Sequence, residues 1–158
     1  MLEEAVYQPQ QKLDRADGRQ LFEKNCASCH RFGSIGSDHG VAGLNLTTSP
    51  LLSSKYALLE AIMFPDRKLA PAHETTVFDM ADGSTIHALV LKETPQGTSV
   101  LTREGTRADL QKAQTASRRK VKTSLMTEAM ADAMNQSQWR NLLAFLTSTP
   151  PSATSAAR

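Results

Sequence analysis

Cys26 and Cys29, separated by Ala27 and Ser28 and followed at once by His30, are the residues of this chain best suited to chemistry, and they are its only two cysteines. A Cys pair at that spacing has three uses: a redox dithiol, half of a zinc site, or thioether attachment of haem c. A zinc site needs four protein ligands, or three and a water, and no second Cys pair exists beside His39, His73 and His87. A thioredoxin-like dithiol follows a strand, whereas here the run from Asp17 to Asn25 leads into the pair as a helix. The adjoining histidine is what haem attachment requires. On one helical turn both thiols face the same way and can bond two vinyl carbons, and the next imidazole can reach the iron. The spacing points to one covalently attached haem c on Cys26, Cys29 and His30.

The elements that must hold this turn follow from pattern. A first helix is expected over 17–29, with Phe22 and Cys26 in i,i+4 register. Residues 33–43 are rich in glycine and read as an irregular loop. A second helix covers 54–64, with Leu58, Leu59, Ile62 and Met63 on one face, and Pro65 stops it. In the last helix Asn135 is the N-cap and Gln138 can bond back to it, with Trp139, Leu142, Leu143 and Leu146 following at i, i+3, i+4, i+7. Between the second and last helices the period changes. Strands are expected over 75–80 and 84–91 around an Asp82-Gly83 turn, then over 98–102 after a turn at 94–97, with a short one at 108–110. The fold class expected is mainly α, helical around one haem, with a small antiparallel β-sheet inserted.

A second axial donor would complete the iron. The candidates are Met63, Met80, Met126, Met130, Met134, His39, His73 and His87. Met63 lies on an apolar helix face, Met80 on a strand, and Met130 and Met134 pair at i,i+4, all consistent with plain packing. Met126 stands in a non-periodic stretch just before the final helix, where a loop can pass over a haem, so the reading favours it. A thioether there is a soft, neutral ligand that favours ferrous iron. His39 is the main histidine competitor, while His87 on its strand and His73 in its loop read as structural.

The run from Asp17 to Phe32 resembles the opening of class I cytochromes c. The continuation is similar to the haem-binding cytochrome c domain of the planctomycete type, through Tyr56–Pro65, the Asp82-Gly83 hairpin, Ser124-Leu125-Met126 and Asn141–Leu146. The resemblance covers most of residues 17–148. It implies a β-containing insertion over 65–123, an extension or linker at 1–16 and a tail at 149–158. It also implies Met126 as the distal ligand, and a place at the C-terminus of large exported dehydrogenase-like proteins. Two positions depart from the family pattern. Thr127 stands where a proline usually follows the ligand Met. Leu44 stands at the proline whose carbonyl accepts the proximal imidazole N–H, and any residue keeps that carbonyl.

A haem with both axial positions filled implies single-electron transfer, with a separate redox protein or a fused dehydrogenase-like domain as partner. The alternative is a haem-based gas sensor or haem enzyme whose distal ligand is displaceable, a reading that Thr127 keeps open. A binding module without haem is a third. Composition narrows the rest. Eighteen Lys and Arg against sixteen Asp and Glu, net +2 over 158 residues, give no support to nucleic-acid binding. No apolar run is long enough for a transmembrane helix. Aromatics are only 5%, which a porphyrin in the core would compensate. Residues 1–11 lack a signal peptide's basic start and apolar stretch, whereas haem c attachment implies a periplasmic or otherwise exported setting, so a domain cut from a longer chain is expected. The basic segment 103–122 reads as a solvated face or as a docking patch for an acidic partner.

Overall fold

Asp14 opens the first helix by accepting the N–H groups of Ala16 and Asp17 on its carboxylate, satisfying donors that a helix start leaves bare. In the computed structural model, which describes residues 12–41, 44–127, 132 and 134–152, the chain divides into two units, Met1–Met63 with Glu128–Arg158, and Phe64–Thr127. The described part of the first holds three α-helices: α1 (Arg15–Asn25), α2 (Lys55–Met63) and α3 (Gln136–Leu146). It also holds a miniature hairpin of β1 (Arg31–Phe32) and β2 (Ile35–Gly36). The predicted capping box is present at α3. Asn135 accepts the Gln138 N–H at 3.0 Å and its own N–H donates to Gln138 Oε1 at 2.9 Å.

The core of this unit is built from Phe22, Phe32, Trp139, Leu142, Leu143, Phe145 and Leu146, with Leu58 and Leu59 from α2. Phe22, Phe32 and Phe145 meet pairwise at centroid distances of 6.2, 5.9 and 5.3 Å, each pair adding about 0.5–1.5 kcal/mol beyond burial. Three of the five phenylalanines are thus concentrated beside the Cys-x-x-Cys-His segment. Gly18 lets α1 and α3 close up, because a Cβ there would stand 2.1 Å from the Asn141 carbonyl oxygen. Asn141 ties the same crossing through polar bonds. Its Oδ1 accepts the Asp14 N–H at 3.0 Å and its Nδ2 donates to Asp17 at 2.8 Å.

The second unit is a five-stranded antiparallel sheet in the order β6-β5-β4-β3-β7, formed by β3 (Glu74–Met80), β4 (Thr85–Thr94), β5 (Gly97–Thr102), β6 (Arg107–Gln111) and β7 (Thr115–Ser124). The Asp82-Gly83 turn joins β3 to β4 with Gly83 at φ 86°, a left-handed conformation that glycine adopts freely. Thr76 pairs with Ala88 and Phe78 with Ile86, so one face gathers Phe78, Ala88, Val100 and Leu110 into a buried cluster.

The expectation of a mainly α fold is corrected here. The described residues are about 32% strand and 34% helix, and the sheet has five strands. The main cause is β7, a ten-residue strand in the segment that reads from sequence as a solvated basic face. Its exposed edge position removes the apolar alternation by which a strand is normally recognised, and Arg118, Arg119 and Lys120 take the places of apolar residues. The first helix is also shorter than expected. It ends at Asn25, and residues 26–29 continue as tight turns.

The arginines of β7 are used within the sheet. Arg118 reaches across β3 to Glu93 on β4 and Thr98 on β5, and Arg119 Nη1 donates to Asp79 Oδ2 at 2.8 Å. The Ser117 hydroxyl also donates to Asp79, at 2.8 Å. That hydroxyl first, and the Arg119 charge after it, hold the Asp79 carboxyl below its ordinary 3.8. A carboxyl depressed on folding stabilises above its unfolded value and loses that contribution as pH falls through the lower folded value. Asp79→Asn is therefore expected to cost stability at neutral pH, with the gap to the parent shrinking below pH 3.8. Urea unfolding at pH 6 and pH 3 checks this, and a pH-independent gap would contradict it.

Candidate functional site

The backbone turn between α1 and β1 places the three residues of the motif. The N–H groups of Cys26 and Ala27 both bond the Phe22 carbonyl, at 2.8 and 3.0 Å. The N–H groups of Cys29 and His30 both return to the Cys26 carbonyl, at 3.1 and 2.8 Å. The chain is thereby wound from Cys26 to His30 with both thiols on one tight turn. Cys26 and Ala27 pack against the aromatic core, so the turn rests on a rigid floor. Both cysteines are half-buried and free.

The His30 ring is oriented by the next loop. Its Nδ1 lies 3.3 Å from the Leu44 carbonyl oxygen, at the long end for a hydrogen bond. A carbonyl can only accept, so Nδ1 carries the proton, which makes Nε2 the ring nitrogen with a lone pair, the tautomer a metal-ligating imidazole needs. The same carbonyl accepts the Arg31 N–H at 3.0 Å, and a β-bridge between Arg31 and Asn45 fixes the loop beside the turn. The contact expected from the Leu44 position is therefore present, without a proline there.

Burial, with the neighbouring Cys29 adding to it, pushes the Cys26 thiol up to about 12. Redox dithiols work by the opposite device, a thiol lowered toward neutrality by nearby positive charge or a helix N-terminus. This pair follows a helix C-terminus. Among the described residues no three His, Cys, Asp or Glu side chains converge as a metal site of that kind would need. The donor set fits a haem c. Two thiols share one turn, and the imidazole beside them is held through Nδ1 at the Leu44 carbonyl.

The other candidates lie as follows. Met126 belongs to the sheet unit, half-buried just past β7, where its N–H donates to Ser124 Oγ at 3.2 Å. The turn itself brings together Cys26, Cys29 and His30. Met63 and Met134 pack in the helical core, and Met80 packs against the sheet cluster. Met130 lies outside the described residues. His87 is exposed on β4, and His73 closes a short 3-10 turn after Pro71. His39 turns its Nε2 to the Ser28 carbonyl at 2.6 Å.

Sequence reading passed over three features of this site. Gly33 sits at φ 61° against Pro151, whose carbonyl accepts the Ser34 N–H at 2.9 Å, so the chain after α3 returns to the hairpin that follows the motif. Gly36 sits at φ 78°, and a Cβ there would stand 2.1 Å from the His30 carbonyl oxygen. The third is the bond from His39 to Ser28. A glycine-rich stretch signals backbone freedom, and only close approach in space tells which glycine is spent on which neighbour.

No described helix is long and apolar enough to cross a membrane. No curated protein matches the chain. Residues 15–85, which include the whole Cys26–His30 turn and its Leu44 anchor, match the family model of cytochrome c. The match and the donor set together support a c-type cytochrome, a haem-containing electron-transfer protein.

Proposed function

We propose that this chain is a monohaem c-type cytochrome that passes single electrons between an oxidoreductase, separate or fused to it, and a downstream acceptor. The observation that carries the reading is the His30 ring, anchored through Nδ1 at the Leu44 carbonyl on the same turn that holds both thiols. Cys26 and Cys29 would tether the group by thioether bonds, and His30 Nε2 would be one axial ligand. When bound, haem supplies a one-electron couple at iron. Two cysteines suffice for one such attachment, which supports a single haem. The resemblance to the planctomycete-type domain supports Met126 as the second axial donor and an exported, periplasmic setting.

The chain's own part is to hold the group rigidly and exclude substrate from the iron, as an electron carrier rather than an enzyme. The turn stands on the interlocked Phe22, Phe32 and Phe145, so the His30 backbone has little room to move between oxidation states.

Visible spectra of the matured protein and of Met126→Ala, in both oxidation states, test the ligand pair. The expected outcome is a six-coordinate, low-spin parent, while the variant becomes high-spin or exchanges its sixth ligand and binds carbon monoxide when reduced. The loss of a thioether ligand should also lower the potential. Identical spectra would remove Met126 from the iron. Rapid carbon monoxide binding by the reduced parent would favour the gas-sensor or haem-enzyme reading.

A further inference from the structure

Among the described residues, His39 is the one non-glycine with positive φ, at 51°. Side chains seldom adopt this left-handed region, and a residue held there marks a place where the surroundings impose it. The surroundings here are the turn that carries the two thiols. His39 Nε2 lies 2.6 Å from the carbonyl oxygen of Ser28, the residue just before Cys29. Because that oxygen only accepts, Nε2 carries the proton and donates it. The His39 N–H donates to Ser37 Oγ at 3.2 Å, and the Ser37 N–H donates to the Ala27 carbonyl at 3.1 Å. A Cβ added at Gly36 would stand 2.9 Å from the Ala27 carbonyl oxygen, so only glycine lets the loop come this close. Asp38 turns the chain back by accepting the Gly40 N–H at 3.0 Å.

These contacts answer a definite need. Since α1 ends at Asn25, the carbonyls of Ala27 and Ser28 fall beyond the helix, where no following turn of helix supplies donors. The loop supplies them instead, a backbone N–H to Ala27 and an imidazole N–H to Ser28. Both carbonyls lie between the two cysteines. Their orientation sets the course of the chain from Cys26 to Cys29, and hence where the two thiols point.

We infer that His39 is a positioning residue for haem attachment: its Nε2–H grips the Ser28 carbonyl and fixes the spacing of the Cys26 and Cys29 thiols. The inference rests on the haem reading of the turn, and it also makes a statement about the haem-free chain. Its substrate-side consequence is that both vinyl groups meet their thiols at once, without the turn having to rearrange.

Three substitutions separate this role from general support of the loop. His39→Gly removes the ring and suits the left-handed backbone. His39→Asn keeps a residue tolerant of that backbone but falls one bond short of the carbonyl. His39→Gln places its amide nitrogen the same number of bonds from Cβ as His39 Nε2. In the reduced, haem-free chain, alkylation of the two thiols at fixed pH should run about three- to tenfold faster in the Gly and Asn variants, the factor expected from one lost hydrogen bond. The Gln variant should return to the parent rate. After maturation, the Gly and Asn variants should carry less covalent haem per chain than the parent and Gln forms.

Parent-like alkylation and haem loading in both the Gly and Asn variants would overturn the inference. So would a Gln variant that behaves like Gly and Asn, because it keeps the donor. A matured parent without colour would defeat the haem reading itself, and the alkylation rates of the haem-free chains would still judge His39.

Discussion

A Cys26→Ser, Cys29→Ser double variant is expected to leave a haem-c-maturing host with no porphyrin that survives denaturation. The parent should retain its haem stain on a denaturing gel and after acid extraction, and its mass should exceed that of the bare chain by one haem. The effect is all-or-none because these are the chain's only two thiols, so nothing else can form a thioether. Each single variant leaves one attachment possible. It should hold haem at reduced yield, with the reduced haem's absorption shifted to the red by the vinyl group left unsaturated. Serine differs from cysteine by one atom, and both positions are only half-buried, so the change tests chemistry more than packing. The competing dithiol reading predicts the reverse, a colourless parent whose thiols oxidise reversibly to a disulfide. Burial of the Cys26 thiol, which pushes its pKa up, runs against that reading, since the attacking species in disulfide exchange is the thiolate. Covalent haem retained by the double variant would end the assignment of the turn.

What could be read from the chain beforehand was whatever is local. The Asn135 and Gln138 capping box, the Asp82-Gly83 turn and the Cys-Ala-Ser-Cys-His string each declare themselves within a few residues, because the physical need and the residues that meet it are neighbours. The Leu44 contact was legible for another reason: a backbone carbonyl is present whatever the side chain. The failures share the opposite property. Strand β7 pairs with β3 across a gap of more than thirty residues, and its charges meet Glu93 and Asp79 on other strands. In isolation Arg118, Arg119 and Lys120 look like solvated surface, and only the folded sheet shows that the two arginines have partners. That one strand carries the largest single share of the difference between a mainly α expectation and described residues with about equal helix and strand. The His39 contact was hidden for the same reason. A lone histidine in a glycine-rich loop reads as the main histidine competitor to Met126, and nothing near it in sequence points to the main-chain carbonyl eleven positions earlier that its ring meets.

Gly18→Val is expected to be the most destabilising change in the helical unit. Inside a helix, glycine is normally a liability of about 1 kcal/mol relative to alanine, so a side chain at this position should help if it met open space. It meets backbone instead. A Cβ at Gly18 would stand 2.1 Å from the Asn141 carbonyl oxygen, 2.6 Å from its carbon and 2.8 Å from Phe145 Cβ. No rotamer change clears a main-chain atom of a buried helix, so α1 and α3 must move apart. That motion also lengthens the two bonds made by the Asn141 side chain and loosens Phe22 from Phe145. Overpacking by several atoms together with two strained hydrogen bonds should cost about 3 kcal/mol or more, a large part of the roughly 5–15 kcal/mol that holds a domain folded. Gly18→Ala should lose less, in the same direction. The control is Gly40→Asn, at φ 74° with nothing within 4 Å of the added Cβ, in a conformation that asparagine tolerates. Thermal melts should therefore rank Gly40→Asn close to the parent, Gly18→Ala well below it and Gly18→Val lowest, with haem retention after denaturation unchanged in whatever protein matures. Equal melting of Gly18→Val and the parent would mean that α1 and α3 do not meet at this crossing.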